Sequence, residues 1–202
     1  MNVRELAVSR CFEFAPMQHR DERGTFLEWY RADPFAAAVG HRLTVAQANH
    51  SVSRRGTLRG IHYALVPPGQ GKYVYCPRGA VVDVVIDLRV GSPTFGVSDS
   101  TRLDEVDRRA VYLPEGVGHA FMALVDDSAL TYLCSTGYDP GREKAVNVLD
   151  PEVDLPWPAD IDPVISERDR AAPSLQQARS EGMLPSYDAC LARYEALRTS
   201  GQ

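Results

Sequence analysis

Residues 80–88 read Ala80-Val-Val-Asp83-Val-Val-Ile-Asp87-Leu88, and the fold turns on what such a run can be. Its β-branched density is that of a strand. In an extended chain Val82, Val84, Ile86 and Leu88 share one face, while Val81, Asp83, Val85 and Asp87 share the other. Two acids set among valines make that second face the wall of a partly polar interior rather than of a plain core. On either side lie further short β-rich runs, at 44–49, 57–64, 72–76, 109–113, 120–125 and 129–135. Between them stand Pro67-Pro68-Gly69, Pro77-Arg78-Gly79, Gly91-Ser92-Pro93, Pro114-Glu115-Gly116 and Asp126-Asp127-Ser128. Strands at this spacing with no helical pattern between them argue for a β-sandwich or barrel.

Before this block, 6–14 reads as one or two strands, and the turn Asp21-Glu22-Arg23-Gly24 leads into a strand at 25–30. Asp33 as cap, Pro34 in the first turn and Gly40 as stop predict one short helix. After Asp150-Pro151 the chain is proline-rich through Trp157-Pro158 and then helical. Ser174 with Gln177 reads as a capping box for a helix ending near Gly182. Ser186 caps a last helix with Leu191, Tyr194 and Leu197 on one face. The expectation is one mostly-β domain over residues 1–202. Residues 1–50 supply N-terminal strands and a helix, 51–150 the barrel core, and 151–202 the proline-rich segment and C-terminal helices.

The 202 residues suffice for one well-buried core, and 44% apolar with 24% charged residues is ordinary for a globular chain. A net charge of −5 without a basic run argues against nucleic acid or anionic membrane as partner. No apolar run approaches the ~20 residues that span a bilayer. The start Met1-Asn-Val-Arg-Glu-Leu6 does not read as a signal peptide. Cys11, Cys76, Cys134 and Cys190 are scattered, which suits buried thiols in a cytoplasmic chain better than a disulfide framework.

Chemistry gathers at Arg59-Gly-Ile-His62-Tyr-Ala-Leu-Val-Pro-Pro-Gly-Gln-Gly-Lys72, where an arginine, a histidine and a lysine flank a turn. An imidazole is the default base near neutral pH, set against the plainer reading of a satisfied core histidine. A regular strand would send Arg59 and His62 to opposite faces, but Gly60 can host a bulge that re-aims one. The run Pro114-Glu-Gly-Val-Gly-His119 before a strand is similar to the second box of cupin barrels. The first box offers only His62, too few ligands for a closed metal site, so the reading is metal-free. Tyr132 and Tyr138 read either as strand filler or, if pocket-facing, as a proton donor and a lining group. Asp83 and Asp169 read as solvated acids or as partners that orient His62. Arg23, Arg59, Lys72 and Arg168 suit a diphosphate. Trp29, Phe26 or Tyr138 can stack on a base or sugar.

Taken together these segments resemble the dTDP-4-dehydrorhamnose 3,5-epimerase family. The pieces that carry the resemblance are Asp21-Glu-Arg-Gly-Thr-Phe-Leu-Glu28, Gln47-Ala-Asn49, Gly56-Thr-Leu-Arg-Gly-Ile-His62-Tyr and Gly69-Gln-Gly-Lys72. They continue through Arg78-Gly-Ala-Val-Val-Asp83, Asp87-Leu-Arg-Val-Gly-Ser-Pro-Thr-Phe-Gly96, Pro114 to His119, Tyr132 with Tyr138, and Ser166-Glu-Arg-Asp169. The resemblance implies a cupin-type jelly-roll homodimer whose N-terminal strands reach across to the partner. It implies a dTDP-4-keto-6-deoxyhexose substrate and no cofactor. It makes His62 the base beside the C4 ketone, oriented by Asp169, with Lys72 at the enolate oxygen and Tyr132 the acid on the opposite face. It makes Asp83 an acid of the pocket floor. Arg23, Phe26, Glu28, Gln47, Asn49, Arg59, His119, Tyr138, Glu143 and Arg168 would line the nucleotide-sugar site. Ile61-His62-Tyr63-Ala64 and Asn147-Val-Leu-Asp150-Pro151 depart from the rhamnose enzymes, and Ile61-His-Tyr63 followed by Val66-Pro-Pro-Gly-Gln-Gly-Lys-Tyr73 looks more like the antibiotic-sugar branch, where C3, C5 or both are inverted. A 3,4-ketoisomerase and a non-catalytic nucleotide-sugar-binding barrel are the alternatives.

Overall fold

The structure, a computed structural model, describes residues 1–200. The chain opens with β1 (Asn2–Glu5), β2 (Phe12–Ala15), the hairpin β3 (Gln18–Asp21) and β4 (Gly24–Leu27), and helix α1 (Ala32–Val39). Then follow β5 (Gln47–Ser53), β6 (Leu58–Ala64), β7 (Lys72–Arg78), β8 (Ala80–Asp87) and β9 (Ser98–Asp104). The strands end with β10 (Ala110–Leu113), β11 (Val117–Ala123), β12 (Ser128–Cys134) and β13 (Glu143–Ala145). Helices α2 (Glu167–Arg170), α3 (Leu175–Ser180) and α4 (Tyr187–Ser200) complete the described chain.

Two antiparallel sheets, ordered β1-β2-β10-β7-β12-β5 and β13-β6-β11-β8-β9, face each other as a jelly-roll sandwich of the cupin type, and β3–β4 forms a separate ribbon. Each large sheet keeps two open edges, so of the expected pair, sandwich or barrel, the sandwich is realised. Val74, Cys76, Leu113 and Leu130 of one sheet meet Val81, Val85, Val117 and Phe121 of the other in the interior. The outer face of the second sheet, with Ile61, Ile86 and Leu88, is covered by Val146, Val148, Leu175 and Leu184 from the chain after β12. The outer face of the first, with Tyr73, Tyr75 and Tyr112, is covered by Phe35 of α1 and by Trp29. Phe35 meets Tyr112 edge-on at 4.8 Å between centroids, and Trp29 stacks on Tyr75 at 5.0 Å. Both faces of β8 are therefore buried, which explains its nearly unbroken aliphatic run.

Several local expectations are adjusted. Asp33 is not the cap of α1: Arg31 holds that position without a side-chain bond, and Asp33 instead accepts from Arg42 at 2.8 Å. Gly40 closes the helix in the left-handed conformation, as its position predicts. Ser174 accepts the Gln177 amide at 3.1 Å, but the Gln177 side chain turns to Glu181, leaving half of the capping box. β9, Ser-Asp-Ser-Thr-Arg-Leu-Asp, was not legible as a strand, because an edge strand needs few apolar residues.

Candidate active site

The site is built on a defect in β6. In the β6–β11 ladder His119 lies opposite His62 and Phe121 opposite Arg59, so two residues of β11 span three steps of β6. The extra residue falls at Gly60-Ile61. There the backbone takes φ +126° at Gly60, and a Cβ would come 2.5 Å from that of Ala120. Only glycine fits. The bulge turns Arg59 and His62 to the same side, the side on which His119, Phe121 and Asp83 point into the sandwich. From the facing sheet, register places Lys72 opposite Cys134 and Tyr132 opposite Asn49, with Cys134 opposite Gln47, all on the interior face.

Between these two walls opens a cleft lined by Gln47, Asn49, His62, Gln70, Lys72, Tyr132, Tyr138, Glu143 and Arg168. It continues past His62 and Arg168 into a more open groove bounded by Arg59 and Asp169. Eight of the predicted residues thus share one cleft, with Arg59 and Asp169 at its extension. Gln70 was missed; its place between two glycines just before Lys72 is the only local sign of a loop made to approach closely.

His62 Nε2 lies 2.7 Å from Asp169 Oδ1. Asp169 sits in α2, whose cap Ser166 accepts the Asp169 amide at 3.1 Å. Burial pushes the Asp169 carboxyl up, but the bond and charge of His62, with the Ser166 hydroxyl and Gly60 amide, outweigh it and hold the group below the ordinary aspartate range. An ionised carboxylate only accepts, so in the neutral ring the proton sits on Nε2 and the Nδ1 lone pair is free. The His62 side chain is 31% exposed, enough to meet a ligand.

The second pair is closed. His119 Nε2 bonds Asp83 Oδ2 at 2.6 Å, with side chains only 9% and 1% exposed, and Asp83 Oδ1 has no partner among the described residues. Neither residue is among those that line the cleft, and both are buried within the sandwich. His62 therefore does not stand alone, as the sequence suggested, but it is the histidine of the pair that a ligand can touch.

Tyr132 is pushed above the usual tyrosine pKa, first by burial and then by Cys134 and Glu143, against the opposing pull of Asn49 and Arg59. It keeps its proton as an acid must. Lys72, 8% exposed overall, pairs with no carboxylate among the described residues. Gln47 donates to Asn49 at 2.8 Å and accepts the Tyr138 amide at 2.9 Å, which holds the half-exposed Tyr138 at the mouth.

Three predicted residues lie elsewhere in the single chain. Arg23 and Phe26 belong to the β3–β4 ribbon, where Arg23 pairs with Asp21 and Phe26 is 67% exposed, and Glu28 pairs with Arg31 at 3.5 Å. Trp29, partly buried, packs on Tyr73 and Tyr75 away from the cleft. No three His, Cys, Asp or Glu side chains gather as a metal site among the described residues, and all four cysteines are free and buried. No described helix is long and apolar enough to cross a membrane.

Comparison with known proteins bears on the same residues. The family model described as dTDP-4-dehydrorhamnose 3,5-epimerase matches residues 5–177. The chain is 50% identical to a dTDP-4-dehydrorhamnose 3,5-epimerase of Mycolicibacterium smegmatis over 98% of both chains. It is 54% identical to the solved structure of NovW, a 4-keto-6-deoxy sugar epimerase from the novobiocin biosynthetic gene cluster of Streptomyces spheroides. That match has a TM-score of 0.92 and covers 94% of this chain and 95% of the other. ChmJ, a 3'-monoepimerase from Streptomyces bikiniensis solved in complex with dTDP-quinovose, is 48% identical, with a TM-score of 0.93, over 96% and 98% of the two chains. With its jelly-roll sandwich, its His62–Asp169 pair and a family match over most of its length, the chain belongs to the dTDP-4-dehydrorhamnose 3,5-epimerase family.

Proposed function

We propose that this protein is a cofactor-free epimerase of a dTDP-4-keto-6-deoxyhexose, inverting C3, C5 or both, in the making of an antibiotic deoxysugar. The observation that carries the reading is that His62 and Tyr132 enter the cleft from opposite sheets. A sugar ring between them meets a base on one face and an acid on the other.

The reaction then runs on side chains alone. His62 Nδ1 takes the proton from the carbon beside the C4 ketone, and the C–H electron pair moves to the ketone oxygen. The Lys72 ammonium offsets the charge of that enolate. Tyr132 returns a proton to the carbon on the opposite face, the ketone re-forms, and exchange with solvent resets base and acid. Asp169 keeps His62 in the needed tautomer and stabilises the imidazolium. Gln47, Asn49, Tyr138 and Glu143 surround the sugar subsite, and the buried His119–Asp83 pair backs it from within the sandwich. Arg59 and Arg168 serve the diphosphate.

We also read the working unit as a homodimer. The β3–β4 ribbon, paired with neither large sheet, carries Arg23, exposed Phe26 and, just beyond it, Glu28, three residues suited to a nucleotide that stand away from the His62 cleft; Arg23 and Phe26 line only an open groove on the ribbon itself. A partner subunit would receive them. Four free buried thiols fit a cytoplasmic, reducing setting.

Incubating the protein with dTDP-4-keto-6-deoxyglucose in D2O and following C3 and C5 by NMR tests the reading. Deuterium entering at one or both carbons is expected. No deuterium at either would sink it.

A further inference from the structure

Glu115 lies outside the cleft and is fully buried, with Oε2 unpartnered among the described residues. A buried carboxylate with one free oxygen is costly unless its other bonds serve something. Oε1 accepts the Ser135 hydroxyl at 3.0 Å, and Ser135 Oγ in turn accepts the Gly71 amide at 2.8 Å. The Ser135 amide donates back to the Gly71 carbonyl at 2.9 Å. The carboxylate thus lies against the loop 69–71. A Cβ at Gly69 would come 2.6 Å from Glu115 Cβ, and one at Gly71 would lie 3.4 Å from Glu115 Oε2.

That loop delivers two cleft residues, Gln70 and Lys72. Further bonds tie it to the segment that follows β12: Gln70 Nε2 donates to the Thr136 carbonyl at 2.9 Å, and Thr136 Oγ1 to the Gly69 carbonyl at 2.8 Å, while the Gly69 amide donates to the Leu65 carbonyl at 3.1 Å. Glu115 is held from behind as well. Tyr194 of α4 donates to its carbonyl at 2.5 Å and itself accepts from Arg89 at 3.1 Å, whose fork grips Asp87. A continuous buried polar chain therefore runs from the C-terminal helix to the segment entering Lys72.

We propose that Glu115 is a positioning residue which, through Ser135, fixes the Gly71 amide and so the direction in which Gln70 and Lys72 enter the cleft. The inference rests on the reading of Lys72 as the group facing the enolate. Its reach is catalytic and not only structural, because an ammonium displaced by about 1 Å loses alignment with the developing charge.

The test compares wild type, Glu115→Gln, Glu115→Ala and Ser135→Ala by deuterium exchange into dTDP-4-keto-6-deoxyglucose, with rates divided by the number of sites that bind dTDP. Counting sites removes any loss of folded protein, which a purely structural role would produce. Glu115→Ala and Ser135→Ala are expected to lose about tenfold or more per site with dTDP affinity unchanged. Glu115→Gln, which still accepts from Ser135, should stay within about threefold of wild type. If Glu115→Ala does not fold, Ser135→Ala, which removes one hydroxyl, decides. Wild-type exchange per site in Ser135→Ala, or equal losses in Glu115→Gln and Glu115→Ala, would overturn the relay. Absence of exchange in the wild type would instead overturn the epimerase reading, and the inference with it.

Discussion

His62 and His119 sit opposite each other in the β6–β11 register, and each bonds through Nε2 to a buried aspartate, at 2.7 Å to Asp169 and 2.6 Å to Asp83. Their chemistry is the same and their setting is not. Asp83 comes from the neighbouring strand of the same sheet, so the His119 pair is closed as soon as the sheet forms. Asp169 comes from the C-terminal segment, 107 residues away, and approaches His62 from outside the sheet, leaving its ring open to the cleft. A base must touch its substrate, and a floor must not move. Access, more than partner, separates the two roles.

The largest expected effect is on the open pair. His62→Asn should cost about 10³-fold in exchange per site, within the range for a lost general base, at an unchanged melting temperature. Asp169→Asn follows, at about 10²-fold or more. An amide there can donate to Nε2 and put the ring proton on Nδ1, the nitrogen that must accept. Its pH signature is set by sign. The Asp169 pKa is lowered on folding, so its contribution to stability is complete above the ordinary aspartate value of about 4 and fades as pH falls through the folded value. The urea midpoint gap between wild type and Asp169→Asn should be open at about pH 5 and close as pH falls below about 4.

The closed pair should respond in the opposite way. His119→Ala leaves Asp83 buried without its bond, at a cost of roughly 1–3 kcal/mol in urea unfolding, while exchange per folded site falls at least tenfold less than in His62→Asn. A stability loss in His62→Asn as large as in His119→Ala would erase the distinction. The smallest effect belongs to Ser166→Ala, which removes the α2 cap bond of about 1 kcal/mol and should slow exchange only a few-fold.

What the sequence revealed follows the same division. Period and composition showed most strands of the sandwich, the polar face of β8 and the room for a bulge at Gly60, because all three are local. The convergence of Asp169 and Tyr132 on His62 was carried only by family resemblance, since no spacing encodes a contact over 107 residues. β9 escaped notice because an edge strand can be polar. Arg23, Phe26 and Glu28 read as binding residues, yet within one chain they stand away from the His62 cleft, with Arg23 and Phe26 on an open groove of the ribbon. The role of Glu115 was invisible, because a Pro-Glu-Gly turn looks like any other until Ser135 closes over it.

The most direct measurement is solvent deuterium at C3 and C5 of dTDP-4-keto-6-deoxyglucose, followed by NMR in D2O for wild type, His62→Asn and Tyr132→Phe at equal site concentration. Expected are exchange with inversion in wild type, exchange slowed about 10³-fold in His62→Asn, and exchange with little inverted sugar in Tyr132→Phe. His62→Asn exchanging deuterium at the wild-type rate would contradict it.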